Sequence, residues 1–285
     1  MDFLESKLHR LNALQKLRPQ YAEIYTFYSG LCRFLQNHTE EWLSCSPELE
    51  DWQPRRLAGF PLLTAEVVEI DTQTASKFVS ALIDSFIEHG QQGDAELKLF
   101  AAALDGQRVA LDQLLLACLE KDRAPLEAAA GLLEIPAALL EYVCSTALAF
   151  GLQRWREGTR LPLYDDWQEG YCPICGAAPA MGELAGEEGK KQLHCSICAA
   201  DWALIRMKCS YCGNEDSETL AYFTAEGESG YRVDVCRKCS SYLKVVDSRE
   251  LGPGLPMDVE DLNTMHLDLL AQKEGFAKGK RTLKD

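Results

Sequence analysis

The chain of 285 residues has no run of apolar residues that makes a convincing membrane span. Its most apolar stretch, residues 131–152, is interrupted by Glu134, Pro136 and Glu141, and charge or proline inside such a run argues against insertion in a bilayer. An apolar leader is also lacking: residues 1–19 carry Asp2, Glu5, Lys7, His9, Arg10 and Lys16, which leaves no h-region for a secretory signal. A protein that stays in the cytoplasm is expected, and in that reducing compartment cysteines persist as thiols or metal ligands rather than structural disulfides. Basic charge is short as well. Lys and Arg number 29 against 44 Asp and Glu, a net charge of −15. Nucleic-acid affinity rests on Lys and Arg meeting phosphates, so a nucleic-acid partner is not expected.

Cysteine, by contrast, is plentiful, with 12 in the chain. Eight of them fall in four Cys-x-x-Cys pairs: Cys172/Cys175, Cys195/Cys198, Cys209/Cys212 and Cys236/Cys239. Two intervening residues let both sulfurs of a tight turn point at one ion, and a tetrahedral site takes two such pairs. Gly176 and Gly213 follow the second cysteine of their pairs, where the backbone turns sharply toward the sulfurs. A redox dithiol of the thioredoxin kind uses a single pair in a βαβ setting, which is not the pattern here. The eight cysteines are therefore candidate ligands of two metal ions, each held by four thiolates. Iron and zinc both suit such a set, and the spacing leaves the choice between them open.

The spacing repeats as a unit. Cys172-Pro-Ile-Cys-Gly, strands near 180–184 and 191–194, Cys195-Ser-Ile-Cys198 and a strand near 202–207 are followed by Cys209-Ser-Tyr-Cys-Gly, strands near 219–224 and 231–235, Cys236-Arg-Lys-Cys239 and a strand near 242–246. Gly186/Gly189 and Gly227/Gly230 mark hairpin turns. The duplication favours sequential ligation, in which each hairpin brings its own flanking pairs together. A cross-brace of first with third and second with fourth pairs is the alternative. Units this small have too little core to fold unaided, and metal supplies the missing free energy. Trp202, Tyr211 and Tyr242 lie near the cysteines as packing residues or as shields for an iron. His194 precedes Cys195, but four cysteines leave no vacancy for it as a ligand.

Before residue 158 the periodicity is helical. Tyr21, Ile24, Tyr25, Tyr28, Leu31, Cys32 and Leu35 form one stripe, Ala75 to Ile87 a second capped by Asp71 or Thr72, and Leu140 to Trp155 a third. Residues 44–63, with prolines at 47, 54 and 61, read as a loop. Cys32, Cys118 and Cys144 sit on apolar stripes as small buried hydrophobes, and Cys45 is expected at a helix end with access to solvent. The fold class is α+β: an N-terminal α-helical domain over 1–157, a linker over 158–171, two tandem small β rubredoxin-like or zinc-ribbon modules over 172–207 and 208–250, and a C-terminal helix near 258–273 within a segment 251–285, whose end from 278 is expected to be mobile.

The box Cys-Pro-Ile-Cys-Gly-Ala-Ala-Pro at 172–179, the box Val-Asp-Val-Cys-Arg-Lys-Cys-Ser-Ser-Tyr-Leu-Lys at 233–244 and the segment Asp-Leu-Asn-Thr-Met-His-Leu-Asp-Leu-Leu-Ala-Gln at 261–272 resemble the family of formate dehydrogenase accessory proteins FdhE. The resemblance spans most of the chain. It implies a non-enzymatic cytoplasmic maturation factor whose eight cysteines hold metal and which binds the immature catalytic subunit of formate dehydrogenase. It also implies that Asp261, His266 and Asp268 line a partner-binding face. The alternative function is a rubredoxin-like electron carrier or redox sensor using iron sites of four cysteines each.

Overall fold

The computed structural model describes residues 3–46, 49–161 and 164–279. These fall into two compact units, 3–46 with 63–161 and 49–62 with 164–279.

The first unit is helical: α1 (Phe3–Leu17), α2 (Ala22–Asn37), and, beyond a short strand β1 (Leu43–Cys45), further helices after residue 71. The segment between residues 44 and 63 is not the loop expected from its prolines. It contributes β1 and a helix, α3 (Leu49–Leu57), with Pro54 inside it; α3 belongs to the second unit. Strand β2 (Val68–Ile70) pairs antiparallel with β1, Cys45 opposite Val68. This pairing buries Cys45, and burial pushes its thiol up to about 12. The expectation of an exposed Cys45 is thereby corrected.

Helix α4 (Thr72–His89) starts where expected. Asp71 accepts hydrogen bonds from the amides of Gln73 and Thr74, so two otherwise orphaned donors of the first turn are satisfied. Then come α5 (Asp94–Asp105), α6 (Leu111–Glu120), α7 (Ala124–Leu133) and α8 (Ala137–Gly158). Helix α8 is the axis of this unit, with Leu140, Val143, Cys144, Ala147, Leu148 and Leu152 wholly buried at helical spacing. Gly151 lets Trp42 and Leu43 close on it; a Cβ there would stand 2.9 Å from the Trp42 ring. None of the helices among the described residues is long and apolar enough to cross a membrane.

The second unit is a sheet with helices. Its strands are β3 (Pro179–Ala185), β4 (Lys190–Cys195), β5 (Asp201–Ala203), β6 (Leu220–Phe223), β7 (Tyr231–Cys236) and β8 (Ser241–Asp247); α9 (Ser248–Leu251), α10 (Met257–Asn263), α11 (Met265–Lys273) and β9 (Ala277–Lys278) follow. The spatial order is β5-β4-β3-β8-β7-β6, with β9 added beside β8. Each cysteine repeat supplies three antiparallel strands, as the periodicity suggests, although the strand expected near 202–207 stops at Ala203. The repeats are not separate beads. The first strand of one and the last of the other run side by side in parallel, Gly182 opposite Val245 and Leu184 opposite Asp247, so both share one continuous sheet. Alternate residues place Tyr231, Val233, Val235, Tyr242 and Val246 on one face, where they pack with Met257, Leu267 and Ala271 of α10 and α11.

The single helix expected near 258–273 is two helices. Thr264 breaks it: its hydroxyl donates to the Glu260 carbonyl at 2.7 Å, and its backbone (φ −110°, ψ 24°) leaves the helical region. The segment of α3 and the chain after it, residues 49–62, is tied to the start of the first repeat and the residues just before it. Leu62 N donates to Pro173 O at 2.8 Å, the Tyr171 hydroxyl to Gly59 O at 2.6 Å and Arg56 to Asp166 at 2.9 Å, while Trp52 is buried. Of the end expected to be mobile, residues 280–285 lie outside the described residues, as do Pro162 and Leu163 of the expected linker.

Candidate metal centres

The eight paired cysteines form two sets, Cys172/Cys175/Cys195/Cys198 and Cys209/Cys212/Cys236/Cys239, each with its sulfurs within 4.8 Å of one another. The grouping is the sequential one and not a cross-brace. Each set joins the turn before a hairpin to the turn after it, because β3–β4 and β6–β7 return the chain to its starting point.

The turns are built alike. Cys172 N donates to Ala177 O and Cys209 N to Asn214 O, both at 2.8 Å; Gly176 N donates to Cys172 O at 2.9 Å and Gly213 N to Cys209 O at 3.1 Å. The two glycines have φ of 67° and 68°, a conformation that costs glycine nothing. At the second turn of each repeat Ala199 and Ser240 occupy the same left-handed region, at φ 53° and 52°. This geometry points amides at sulfur: Ile174 N to Cys172 Sγ at 3.4 Å, Ile197 N to Cys195 Sγ at 3.3 Å and Tyr211 N to Cys209 Sγ at 3.4 Å. Amide donors stabilise thiolate over thiol.

The sulfurs fit a metal. Cys172–Cys198 and Cys175–Cys195 are 3.5 and 3.4 Å apart, and Cys209–Cys239 and Cys212–Cys236 are both 3.7 Å. A regular tetrahedron of thiolates around zinc has edges of about 3.8 Å, given a metal–sulfur bond of about 2.3 Å. All eight are free cysteines, and these separations far exceed a disulfide bond of about 2.05 Å. The thiols of each set also share protons unequally. In the first, hydrogen bonds from Cys172, Cys195 and Cys198 hold Cys175 well below the ordinary thiol range, while burial drives Cys172 up. In the second, burial opposes ionisation of Cys236, but the amides of Cys239 and Lys238 outweigh it and lower its pKa. In each set one thiol is thus held below the ordinary thiol value, and a cation at the centre would favour the thiolate at all four.

Their surroundings differ. All four cysteines of the first set are buried. In the second Cys212 is exposed and Cys239 half-buried. His194 is not a ligand: Nδ1 lies 2.6 Å from Asp201 and Nε2 3.1 Å from Glu183. Burial disfavours the charged ring, but the two carboxylates more than compensate and raise its pKa to about 9. Trp202 is buried with its indole N–H on Glu169 O at 3.0 Å, a packing role. Tyr242 donates to Asp268 at 2.7 Å.

Asp261, His266 and Asp268 do not converge on one point. Asp261 and Asp268 both meet Lys244, at 2.8 and 2.7 Å, whose side chain is 1% exposed; His266 pairs with Glu228 at 3.4 Å. The pattern missed Lys244 because a lysine in a strand reads as solvent-facing, and only the docking of α10 and α11 encloses it. On this segment the exposed large hydrophobic side chains are Leu269 and Leu270, 68% and 37% exposed.

Two family profiles match end to end, the FdhE central domain over residues 171–206 and the FdhE C-terminal domain over 207–283. They divide the chain between the two cysteine repeats. An FdhE homolog of Aquifex aeolicus is 28% identical over 282 residues, covering 97% of this chain and 93% of the relative. An FdhE homolog of Edwardsiella ictaluri is 36% identical over 114 residues, 39% of this chain and 36% of the relative. The crystal structure of the FdhE protein from Pseudomonas aeruginosa matches with a TM-score of 0.67 over 97% of this chain and 93% of that one; at 23% identity this likeness speaks for the fold alone. Residues 171–283 thus match the FdhE central and C-terminal domains, and the chain as a whole is similar to an FdhE homolog over nearly its full length.

Proposed function

We propose that the protein is a cytoplasmic, non-enzymatic maturation factor for formate dehydrogenase. It binds the immature catalytic subunit through a scaffold whose sheet is closed by two metal ions, each bound by four cysteines. The observation that carries the reading is the pair of complete four-sulfur sets inside domains of the FdhE family. A set of four thiolates saturates a tetrahedral ion, whereas a hydrolytic zinc centre keeps a position open for water. Cys172, Cys175, Cys195 and Cys198 hold one ion; Cys209, Cys212, Cys236 and Cys239 hold the other. The ions supply folding free energy to a small sheet and, if iron, one-electron chemistry.

The exposure of Cys212 favours one second reading, in which an iron in the second set exchanges electrons with a partner. The test joins two measurements on tagged protein purified without air. Recovery of the formate dehydrogenase catalytic subunit, and loss of active enzyme in cells deleted for the chain, support the maturation role; failure of both removes it. Metal analysis with a visible spectrum separates the two readings. Iron with thiolate bands that bleach on reduction supports electron transfer, and colourless zinc eliminates it.

A further inference from the structure

Beside the second cysteine set lies a cavity of about 400 Å³, bordered by Cys209 and Cys236. Its size is that of a pocket for a drug-sized group or one or two side chains. Four cationic side chains line it, Lys191, Arg206, Lys208 and Arg232, with Asp234 as the sole acid in the lining. Two of the cations, Lys191 and Arg232, meet Asp234 at 3.0 and 2.9 Å, and their side chains are only 4% and 15% exposed. Asp234 lies between these two enclosed cations, and Glu215, outside the cavity, reaches Lys208 at 3.6 Å; two carboxylates thus meet four cationic side chains, and desolvated charge is costly until an opposite charge arrives. This concentration of cations stands in a chain of net charge −15. The floor and rim are apolar: Met207 and Tyr222 line the cavity and are 50% and 62% exposed, and the neighbouring Ile205 is 51% exposed. The Arg232 guanidinium lies 4.8 Å over the Tyr222 ring, which holds the ring in place.

We infer that this cavity is where the protein grips its client, and that it takes an acidic segment of the immature catalytic subunit carrying an apolar anchor side chain. The inference rests on the maturation role proposed above. Charge complementarity selects the acid, and the cavity takes the anchor. The apolar surface continues from Met207 and Tyr222 at the cavity to the neighbouring exposed Ile205, which suits an extended chain rather than a small molecule contained within the cavity. Binding there would also cover one side of the second metal set.

The test uses the metal-loaded full chain and the formate dehydrogenase catalytic subunit, with binding followed by biolayer interferometry. The double variant Arg206→Glu/Tyr222→Ala changes two exposed side chains. Metal content and thermal melt are measured alongside. The expected result is affinity at least ~tenfold weaker with melt and metal unchanged, and wild-type binding that weakens with added salt. A Leu99→Ala/Leu132→Ala control, at exposed sites of the helical unit, binds as wild type. If the Arg206→Glu/Tyr222→Ala protein binds the subunit as tightly as wild type, the cavity is not the docking site, although the maturation role stands. If wild type itself does not bind the subunit, the maturation role fails and this inference with it. A small anion that co-purifies with wild type in native mass spectra, is lost in the variant and leaves subunit affinity untouched would give the cavity to a free metabolite and overturn the proposal.

Discussion

Around Cys172, Cys175, Cys195 and Cys198 the chain supplies Pro173, Ile174, Ser196 and Ile197 between the ligands; around Cys209, Cys212, Cys236 and Cys239 it supplies Ser210, Tyr211, Arg237 and Lys238. The hairpins, turns, positive-φ positions and amide–sulfur contacts are nearly superimposable in kind. Yet the first set is wholly buried, with the chain that follows α3 hydrogen-bonded to its first turn through Leu62 and Pro173, and the second keeps Cys212 in solvent, with two exposed cations between its last ligands. A repeated frame thus yields one site suited to structural duty and one that a partner or solvent can reach. Ligand count alone does not separate such roles; the residues between and behind the ligands do.

The largest effect expected tests that contrast directly. Serine at Cys172 removes a ligand from the enclosed set. Binding of a structural metal contributes on the order of 10 kcal/mol, comparable with the whole stability of a domain at about 5–15 kcal/mol. Cys172→Ser should therefore lose the first ion and melt the unit of residues 49–62 and 164–279, leaving the helical unit folded. Cys212→Ser sits where water can take the missing position, so the protein should keep the first ion and most of its sheet. Metal counts per chain and circular dichroism on both variants decide it. Equal damage from the two would mean that the buried and open sites carry the same structural share.

The sequential grouping of the cysteines and six of the seven strands of the large sheet were legible because each depends on local pattern: two-residue spacing, a glycine after the pair, alternation in the strands. Asp71 as the cap of α4 was legible for the same reason. What escaped depends on distant partners. Helix α3 looked like a loop because Pro54 removes a donor and crowds the carbonyl four residues before it; contacts with distant residues offset that cost, through buried Trp52, the Arg56–Asp166 pair and, just past the helix, the Leu62 amide on Pro173 O. The parallel contact of β3 with β8 joins strands some sixty residues apart, and no turn signal announces it. Lys244 and His194 carry no periodic mark; their roles arise from carboxylates delivered by other elements.

Those two cations sharpen the comparison at intermediate size. Lys244 fastens α10 and α11 to the second repeat, and His194 bridges β3 to β5 within the first. Lys244→Met strips a buried ammonium from Asp261 and Asp268; since water reaches both carboxylates, the cost falls at the low end for a broken buried pair, about 3 kcal/mol. His194→Gln keeps one hydrogen bond of a charged pair and should cost about 2 kcal/mol or less. Urea unfolding of the metal-loaded protein measures both. If His194→Gln proves the more damaging, the first repeat depends on its carboxylate clamp more than on its metal and burial, and the ranking of the two halves must be reversed.

The smallest effect expected isolates the turn geometry that the repeats share. At Gly213, φ is +68°, and an added Cβ would find only the Lys208 Cε, at 3.9 Å, so Gly213→Ala charges the backbone alone, about 1 kcal/mol. Ser240 already bears that strain at φ 52°, and glycine relieves it while adding freedom to the unfolded chain, leaving a gain below about 1 kcal/mol. Both substitutions sit at the open metal set, and neither alters a ligand. Opposite signs in urea midpoints, with metal content unchanged, would show that the left-handed residue after each cysteine pair is a backbone requirement of the turn. The same sign for both would mean instead that side chains at these positions bear on the metal set or on its surface, and the likeness of the two frames would then stop at the backbone.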